Sequence, residues 1–477
     1  MARKVKPRLS RGLQDYLPQQ MIARQRMIDT IRGVFEGYGF SPLSTPAIEY
    51  LDVLRGSAGE EATGSIFHVS NPEKEELGLR FDLTVPLARV VAQYQDLPRP
   101  FRRYQVSSVW RADKPGAGRF REFTQFDIDS VGTKSEIADT EIIAAICDAL
   151  AALEVGGYRV RYSSRDILNV LLTYAGLPES AGTDVFRVLD KLDKVGLEKV
   201  KKELTTGYQD ESGDTIRGLG LAADQVAKIE AFLAIQGESR TAVLAELTRL
   251  FAGVEGAEAA LGQVTRISEH LEALGYGDDR VQVDPSIARG LAYYTGPVFE
   301  ADLLDAPQFG SVFSGGRYDG LVSRFSGEQV PGTGASLGVD RLLAALEHLG
   351  RLRTRTTTAQ VLVLNMDHDL EGEVLAMTWD LRRAGIAAEL FLGGSRSPGK
   401  QLKHADRCGI PLAVLYGSQE KAQGLVQIKD LDAGRRKSEQ VETREEWIEE
   451  RPGQHEVPRG ELVARLRALL ARIEGGP

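Results

Sequence analysis

Arginines, an aromatic, an amide and carboxylates crowd into one run, W-R-A-D-K-P-G-A-G-R-F-R-E-F-T-Q-F-D-I-D-S-V, residues 110 to 131. Arg111, Arg119 and Arg121 surround a bend rich in Pro and Gly at Pro115, Gly116 and Gly118. Beyond the bend, Phe123, Gln125, Asp127 and Asp129 alternate, so a strand puts them on one face. Such a face is poorly suited to a core. The pattern predicts a hairpin with cations at its tip and acceptors along one strand. Arg111 can grip a phosphate bidentately. Phe123 offers a π-face to a base, and Gln125 and Asp129 can hold a polar substrate. That division suits a ligand with a phosphate chain at one end and a cationic amine at the other, and an amino acid with ATP fits. A solvated hairpin of mixed charge is the plain alternative.

Four further runs are weaker alone. In A-R-G-L-A-Y-Y-T-G-P-V-F-E, 288 to 300, Arg289 precedes a glycine. Tyr293 and Tyr294 would point to opposite faces of a strand, one hydroxyl into a pocket; a core strand with an exposed Arg fits as well. In F-S-G-G-R-Y-D-G-L, 313 to 321, the glycine pair allows close backbone approach or positive φ, or is an ordinary tight turn. G-A-S-L-G-V-D-R-L, 334 to 342, puts Arg341 in the first turn of a helix, where a cation opposes the dipole unless a phosphate or base is near. In L-R-F-D-L-T, 79 to 84, Asp82 and Thr84 on one strand face could grip an α-ammonium, or form a surface alternation.

Composition narrows the class. A chain of 477 residues suggests about three domains. It is 42% hydrophobic and 27% charged, as expected of a globular protein. The formal charge of −9 gives no support for a nucleic-acid partner, yet local patches set the field. Cys147 and Cys408 provide neither a disulfide framework nor metal spacing. The six histidines are scattered, which argues against a catalytic zinc. No G-x-x-x-x-G-K-[ST] or G-x-S-x-G run occurs. The basic start, Met1 to Gly12, lacks the apolar core of a signal peptide, and no apolar run approaches a membrane span. A cytoplasmic location with no membrane partner is the expectation.

The elements that must position these residues follow from periodicity. Residues 13 to 40 form an amphipathic helix ended by Gly37 and Gly39. The run 79 to 89 is a strand turning into a helix, Tyr104 to Val109 is a strand, and 134 to 154 is a helix. Residues 165 to 275 change to helices and charged loops. Strands resume at Val281 to Val283, Leu291 to Glu300 and Ser311 to Phe313, with a helix over Gly338 to Leu349. After R-L-R-T-R-T-T-T, strands at 360 to 365, 388 to 392, 411 to 416 and 425 to 428 alternate with helices at 371 to 384 and 398 to 408. That alternation predicts a separate α/β domain. The tail after Gln440 is charged and ends in an amphipathic helix near 459 to 473.

These motifs together resemble the class II aminoacyl-tRNA synthetases, and within them the histidyl-tRNA synthetase family. S-T-P-A-I-E around Pro46 resembles the class II dimer-interface motif. V-W-R-A-D-K-P through F-R-E-F-T-Q-F-D-I-D resembles motif 2, and G-V-D-R-L resembles motif 3. R-G-L-A-Y-Y-T-G-P-V-F-E and G-G-R-Y-D-G-L resemble the histidine-specific runs, and L-R-F-D-L-T-V-P the archaeal and eukaryotic branch. The resemblance implies an α+β fold: an antiparallel catalytic sheet flanked by helices, a helical insertion and a C-terminal α/β anticodon-binding domain. Its parts would be 1–164 and 276–350 for the catalytic domain and 165–275 for the insertion. The linker would be 351–358, the anticodon-binding domain 359–440 and the charged tail with its helix 441–477.

The same resemblance implies residue roles. Asp82, Thr84 and Tyr318 would hold the α-ammonium of L-histidine, and Gln125 and Arg289 its α-carboxylate. Asp129 and Tyr294 would bond the imidazole, with Tyr293 beside them. Arg111 would bind the α-phosphate, and Arg119 and Arg121 the outer phosphates. Phe123 and Arg341 would sandwich adenine, with Asp113 where the family often has Glu. Asp129 likewise replaces a frequent Glu, so both acids are a methylene shorter. Arg111, Arg289 and Gln125 would carry catalysis. ATP, Mg²⁺ carried on ATP rather than in a protein-only cage, the tRNA for histidine and a second copy of the chain are the implied cofactors and partners. The alternatives are a synthetase-like regulatory subunit of ATP phosphoribosyltransferase, or another class II synthetase. Residues 359 to 435 argue against the first, the tyrosine pair and Asp129 against the second.

Overall fold

The computed structural model describes residues 5–55, 64–116, 118–210, 213–288, 293–352, 354–433 and 453–474. The chain divides into two compact units. One is Met1–Asp15 with Arg26–Leu352, the other Tyr16–Gln25 with Arg353–Pro477.

Strands of the first unit are, in order, β1 (Ser41–Pro42), β2 (Ile48–Tyr50), β3 (His68–Val69), β4 (Leu77–Leu79), β5 (Phe101–Trp110), β6 (Glu122–Val131), β7 (Tyr158–Ser164), β8 (Gly207–Gln209), β9 (Thr215–Arg217), β10 (Val281–Val283), β11 (Pro297–Leu303), β12 (Phe313–Arg317) and β13 (Gly332–Gly338). The main sheet has the order β1-β5-β6-β13-β12-β11-β7-β10. Its outer pairs, β1 with β5 and β10 with β7, are parallel, and the pairs between them are antiparallel. This is the antiparallel sheet expected of an α+β chain.

One face of the sheet is closed by helices. The helix Glu136–Ala152 starts at Ser135, whose side chain accepts the Ile137 N–H. It buries Ile142, Ile143, Ile146 and Leu150. Arg317 clamps it to β12, at 2.6 Å from Asp139 and with further hydrogen bonds to the Thr133 and Ser135 carbonyls. Both ends of that pair are buried, so each needs the other. The helix Pro18–Gly37 is shorter than its predicted span and buries Met27, Ile28, Ile31 and Phe35. Residues 165 to 275 are mostly helical, with the β8–β9 hairpin, and belong to the first unit.

The run 79 to 89 departs from its expectation. The strand stops at Leu79, and the helix Thr84–Gln93 begins at Thr84. Asp82 therefore sits in the connection and accepts the Val85 N–H, as a capping acid does. Asp82 and Thr84 do not share a strand face. Nor do Tyr293 and Tyr294 lie in a strand, because β11 begins only at Pro297.

The second unit carries β14 (Val361–Val363), β15 (Ala388–Leu390), β16 (Leu412–Leu415), β17 (Leu425–Asp430) and β18 (Gln454–Pro458), in the order β15-β14-β16-β17-β18. The segment expected as a charged tail contributes to this fold. β18 pairs antiparallel with β17, and Leu462, Leu466, Leu469 and Leu470 of the helix Leu462–Glu474 join the core with Val361, Val414 and Ile428. Charge concealed this, because every third or fourth residue still faces inward. Leu466 is fully buried. Leu466→Ala is expected to cost about 2–5 kcal/mol and to lower the unfolding midpoint of the full chain in scanning calorimetry; an unchanged midpoint would place the helix outside the core.

Candidate active site

Strand register builds the site. On β5 and β6, Arg103 stands opposite Asp129, Gln105 opposite Asp127, Ser107 opposite Gln125 and Val109 opposite Phe123. On the other side of β6, Asp129 faces Gly334, Asp127 faces Ser336 and Gln125 faces Gly338 of β13. Side chains alternate along a strand, so these residues form one polar floor across three strands. Arg103, Gln105, Gln125, Asp127 and Asp129 are all buried. Glycine is required at 334 for lack of space. A Cβ there would stand 2.1 Å from Asp129 Oδ1. The pair Gly315 and Gly316 lies within β12 rather than in a tight turn, and a Cβ on Gly315 would meet the Gly334 carbonyl at 2.2 Å.

The closed end of the floor gathers acids and tyrosines. Arg103 Nη2 is 2.7 Å from Asp129 Oδ2 and 4.0 Å from Asp127 Oδ2, and donates to the Leu83 carbonyl at 3.1 Å. The Tyr318 hydroxyl donates to Asp129 Oδ1 at 2.5 Å. The Tyr293 hydroxyl contacts Asp82 Oδ2 at 3.5 Å and also pairs with Thr84. The Tyr293 ring lies 5.1 Å from Tyr294 and 6.0 Å from Tyr318, edge to face. Burial raises the Asp82 carboxyl to about 6, against the Val85 N–H and the charges of Arg111 and Arg103. Burial raises Asp127 to about 7, with Arg103 opposing and Asp129 reinforcing the shift. Asp129 is raised by burial and restrained by Arg103 and Tyr318. Burial also raises all three tyrosines, so their hydroxyls remain neutral donors.

The open end is a cavity of about 180 Å³ whose walls include Arg111, Phe123, Gln125, Ser336, Asp340 and Arg341. Arg111 donates through Nε to the Phe81 carbonyl at 3.0 Å, and its guanidinium lies 5.2 Å from the Phe123 ring centre. Arg341 donates to the Ser311 carbonyl at 2.6 Å, which eases a cation in the first turn of the helix Val339–His348. Asp340 accepts the Thr124 N–H at 2.7 Å and so ties that helix to β6. Asp113 accepts from Ser65 at 2.8 Å and stands 3.9 Å from Arg119, which is largely exposed. Arg121 lies outside the cavity lining and donates to the Asp113 carbonyl at 3.1 Å. Gln125 joins the two ends, donating from Nε2 to Ser336 Oγ at 2.6 Å. Among the described residues no three His, Cys, Asp or Glu side chains form a metal cage.

The structure thus brings Asp82, Thr84, Asp129, Tyr293, Tyr294 and Tyr318 into one cluster, buried at Asp82, Asp129 and Tyr318 and partly buried at the others. It places Arg111, Asp113, Arg119, Phe123, Gln125 and Arg341 around the adjoining cavity. Arg289 lies outside the described residues. Sequence reasoning missed Arg103, Ser336 and Asp340. The signal for Arg103 was present: in F-R-R-Y-Q-V, Arg103 and Gln105 alternate like the acids opposite them. Starting the strand at Tyr104 hid it.

A second, larger cavity of about 750 Å³ is lined by Leu43, Thr45, Ile48, Tyr50, Tyr94 and Phe101 among others. It lies over the S-T-P-A-I-E run and holds none of the residues above.

Known proteins resemble this chain along its length. Residues 12–342 match the family described as Histidyl-tRNA synthetase, and residues 360–451 the family described as Anticodon binding domain. The Histidine--tRNA ligase of Rhizobium meliloti (strain 1021) is 43% identical over 98% of this chain and 96% of its own. That of Paracoccus denitrificans (strain Pd 1222) is 44% identical over 96% and 97%. The crystal structure of histidyl-tRNA synthetase from Nostoc sp. PCC 7120 superposes with a TM-score of 0.82 at 33% identity, covering 98% of this chain and all of that one. A structure titled as an ATP phosphoribosyltransferase regulatory subunit/histidyl-tRNA synthetase from Bacillus halodurans C shares the fold, with a TM-score of 0.68 at 24% identity, covering 84% of this chain and 97% of that one. With its family match spanning the site-bearing unit and full-length relatives above 40% identity, the chain belongs to the histidyl-tRNA synthetase family.

Proposed function

We propose that the polar floor is where this chain, as a histidine–tRNA ligase, activates L-histidine with ATP and from which it transfers histidine to the 3′ end of its tRNA. The observation that carries this is continuity. A cavity lined by Arg111, Phe123 and Arg341 opens onto Gln125, and Gln125 leads through Ser336 to buried acids. A nucleotide fits the cationic, aromatic end, and an amino acid fits the acidic end. In this reading Phe123 and Arg341 hold adenine, and Arg111 holds the α-phosphate. Arg119 and Arg121, with Asp113 between them, meet the outer phosphates. Asp82, Thr84 and Tyr318 receive the α-ammonium, and Gln125 with Arg289 the α-carboxylate. The acids at 127 and 129, with Tyr293 and Tyr294, surround the imidazole.

The reaction needs no general base for its first step. The histidine carboxylate is already ionised and attacks the α-phosphorus, expelling pyrophosphate. Rate then comes from positioning and from stabilising charge on the phosphoryl oxygens. Arg111 is preorganised for this, since the Phe81 carbonyl and the Phe123 ring fix its guanidinium. Mg²⁺ is expected on the ATP phosphates rather than in a protein cage, where it would neutralise charge on the departing pyrophosphate. The second unit is assigned to the anticodon, supported by its family match. A cytoplasmic location belongs to the same reading; no described helix is long and apolar enough to cross a membrane.

A homodimer also belongs to it. Ile48, Tyr50 and Tyr94 are exposed apolar side chains beside the larger cavity, on the run that resembles the class II interface motif. A second copy of the chain is the proposed cover.

Of the twenty amino acids, histidine alone is expected to drive ATP–pyrophosphate exchange; strong exchange with another would overturn the ligand assignment. Ile48→Glu is expected to halve the mass measured by light scattering, and a mass equal to that of the unaltered chain would move the interface elsewhere. Asp82 offers a pH test. Its raised pKa favours the neutral form in the folded chain, so its contribution to stability is complete below the unfolded value near 4 and is lost as pH rises through about 6. Relative to Asp82→Asn, the unliganded chain should lose about 2 kcal/mol between pH 4 and pH 7. Ammonium binding needs the ionised form, so the histidine KM of the unaltered chain should fall through the same range. A variant with the same pH profiles as the unaltered chain would remove Asp82 from this role.

A further inference from the structure

We propose that Arg80 is a positioning residue for the activation reaction: it fixes the connection that carries Phe81 and, through the Phe81 carbonyl, the guanidinium of Arg111. The assignment rests on the activation site described above. Arg80 directly follows β4, is 5% exposed and does not line the cavity that holds Arg111. Taking a guanidinium out of water is costly unless its donors are used. Here they meet backbone carbonyls. Nε donates to the Ser108 carbonyl at 2.9 Å, and Nη1 to the Thr45 and Pro46 carbonyls at 2.6 and 3.1 Å. Burial opposes the charge, and Glu49 and Asp127 support it.

The backbone of the same residue is tied on both sides. The Arg80 N–H donates to the Ala47 carbonyl at 3.0 Å, and the Arg80 carbonyl accepts the Trp110 N–H at 3.0 Å. One residue thus joins Thr45–Ala47, its own connection and the end of β5. The next residues along the last two are Phe81 and Arg111, and Arg111 Nε donates to the Phe81 carbonyl at 3.0 Å. The contacts form two successive rungs, Arg80 to Trp110 and then Phe81 to Arg111. Residues 80 to 83 belong to neither strand nor helix, so no regular ladder holds them in place. Arginine suits this position because its planar fork presents donors in fixed directions, toward Ser108 on one side and toward Thr45 and Pro46 on another. Lysine would bring the charge on a single nitrogen, without the fork.

The consequence falls on turnover. A donor that meets charge developing on the α-phosphate accelerates the step only if it is placed beforehand. Loss of Arg80 frees Phe81 and Trp110 together, and with them both the anchor and the stem of Arg111. Asp82, two residues on, has a separate hold, since its carboxylate accepts the Val85 N–H at the start of the helix Thr84–Gln93. The ammonium site therefore stays in place while Arg111 loosens. A merely structural arginine would instead lower the melting temperature and the folded fraction, with turnover per folded site unchanged.

The test compares Arg80→Met, Arg80→Lys, Arg111→Met and the two double variants in the full chain. Histidine-dependent pyrophosphate exchange is measured below the melting transition and scaled to the folded fraction from circular dichroism. Each substitution at 80 should lower kcat by about 100-fold, the effect of moving a reacting group by about 1 Å, and leave the histidine KM within about threefold. In the Arg111→Met background the same substitutions should slow exchange by less than about threefold, because a residue that acts through Arg111 then has nothing to position. A structure of the unaltered chain with ATP should keep Arg80 on the Ser108, Thr45 and Pro46 carbonyls and Arg111 on the Phe81 carbonyl, a readout that stands even if a variant fails to fold. The proposal is overturned by near-normal kcat in either variant at 80, by a loss that persists undiminished without Arg111, by a histidine KM rise that accounts for the whole effect, or by release of Arg111 from Phe81 when ATP binds. An unaltered chain without histidine-dependent exchange would instead end the activation reading as a whole.

Discussion

Arg103 sits fully enclosed beneath three carboxylates, and the site is organised around that fact. Asp82, Asp127 and Asp129 come from two elements and share one buried region, where each charge disfavours the others and burial disfavours all of them. A guanidinium at the centre offsets the repulsion without filling the space above the floor. Its planar fork serves several acceptors at once. The cost of burying charge is met in part by the Leu83 carbonyl and the Tyr318 hydroxyl. The fold therefore holds a set of acids whose ionisation burial disfavours, a shift that Arg103 opposes.

The sheet explains why such a cluster can exist. Antiparallel pairing of β5, β6 and β13 puts residues from separate stretches of chain into register, and alternation sends the polar ones to one face. Glycines at 315 and 334 remove side chains where the strands and the Asp129 carboxylate approach too closely. The helix Glu136–Ala152 closes the opposite face and is locked by Arg317 and Asp139, a buried pair. One arginine–aspartate pair thus fixes a helix, while another, Arg103 with Asp129, joins β5 to β6 within the polar floor. Nothing in the residue types separates the two roles. Only their surroundings do.

Much of this was legible in the sequence. The hairpin of 110 to 131, its alternating acceptors, the break near 352 and the strand–helix alternation after 359 follow from local rules of period and turn chemistry, which act over a few residues. The resemblance to class II synthetases was legible because short motifs such as G-V-D-R-L and G-G-R-Y-D-G-L keep their residue types. The tail was misjudged because charge on one face of the helix Leu462–Glu474 masked the leucines on the other. Asp82 and Thr84 were misplaced because a two-residue alternation is as compatible with a helix cap as with a strand.

The sequence by itself determined which side chains were available: arginines around a bend, an aromatic and an amide on a strand, and two aspartates two residues apart. It could not determine which buried partners each aspartate finds. That depends on Arg103 and Tyr318, which lie 26 and 189 residues away from Asp129 and meet it only through strand register and packing. Local propensity acts within a few positions. Partnership of a buried charge is settled by long-range contacts and by the low-dielectric surroundings that only the assembled sheet provides.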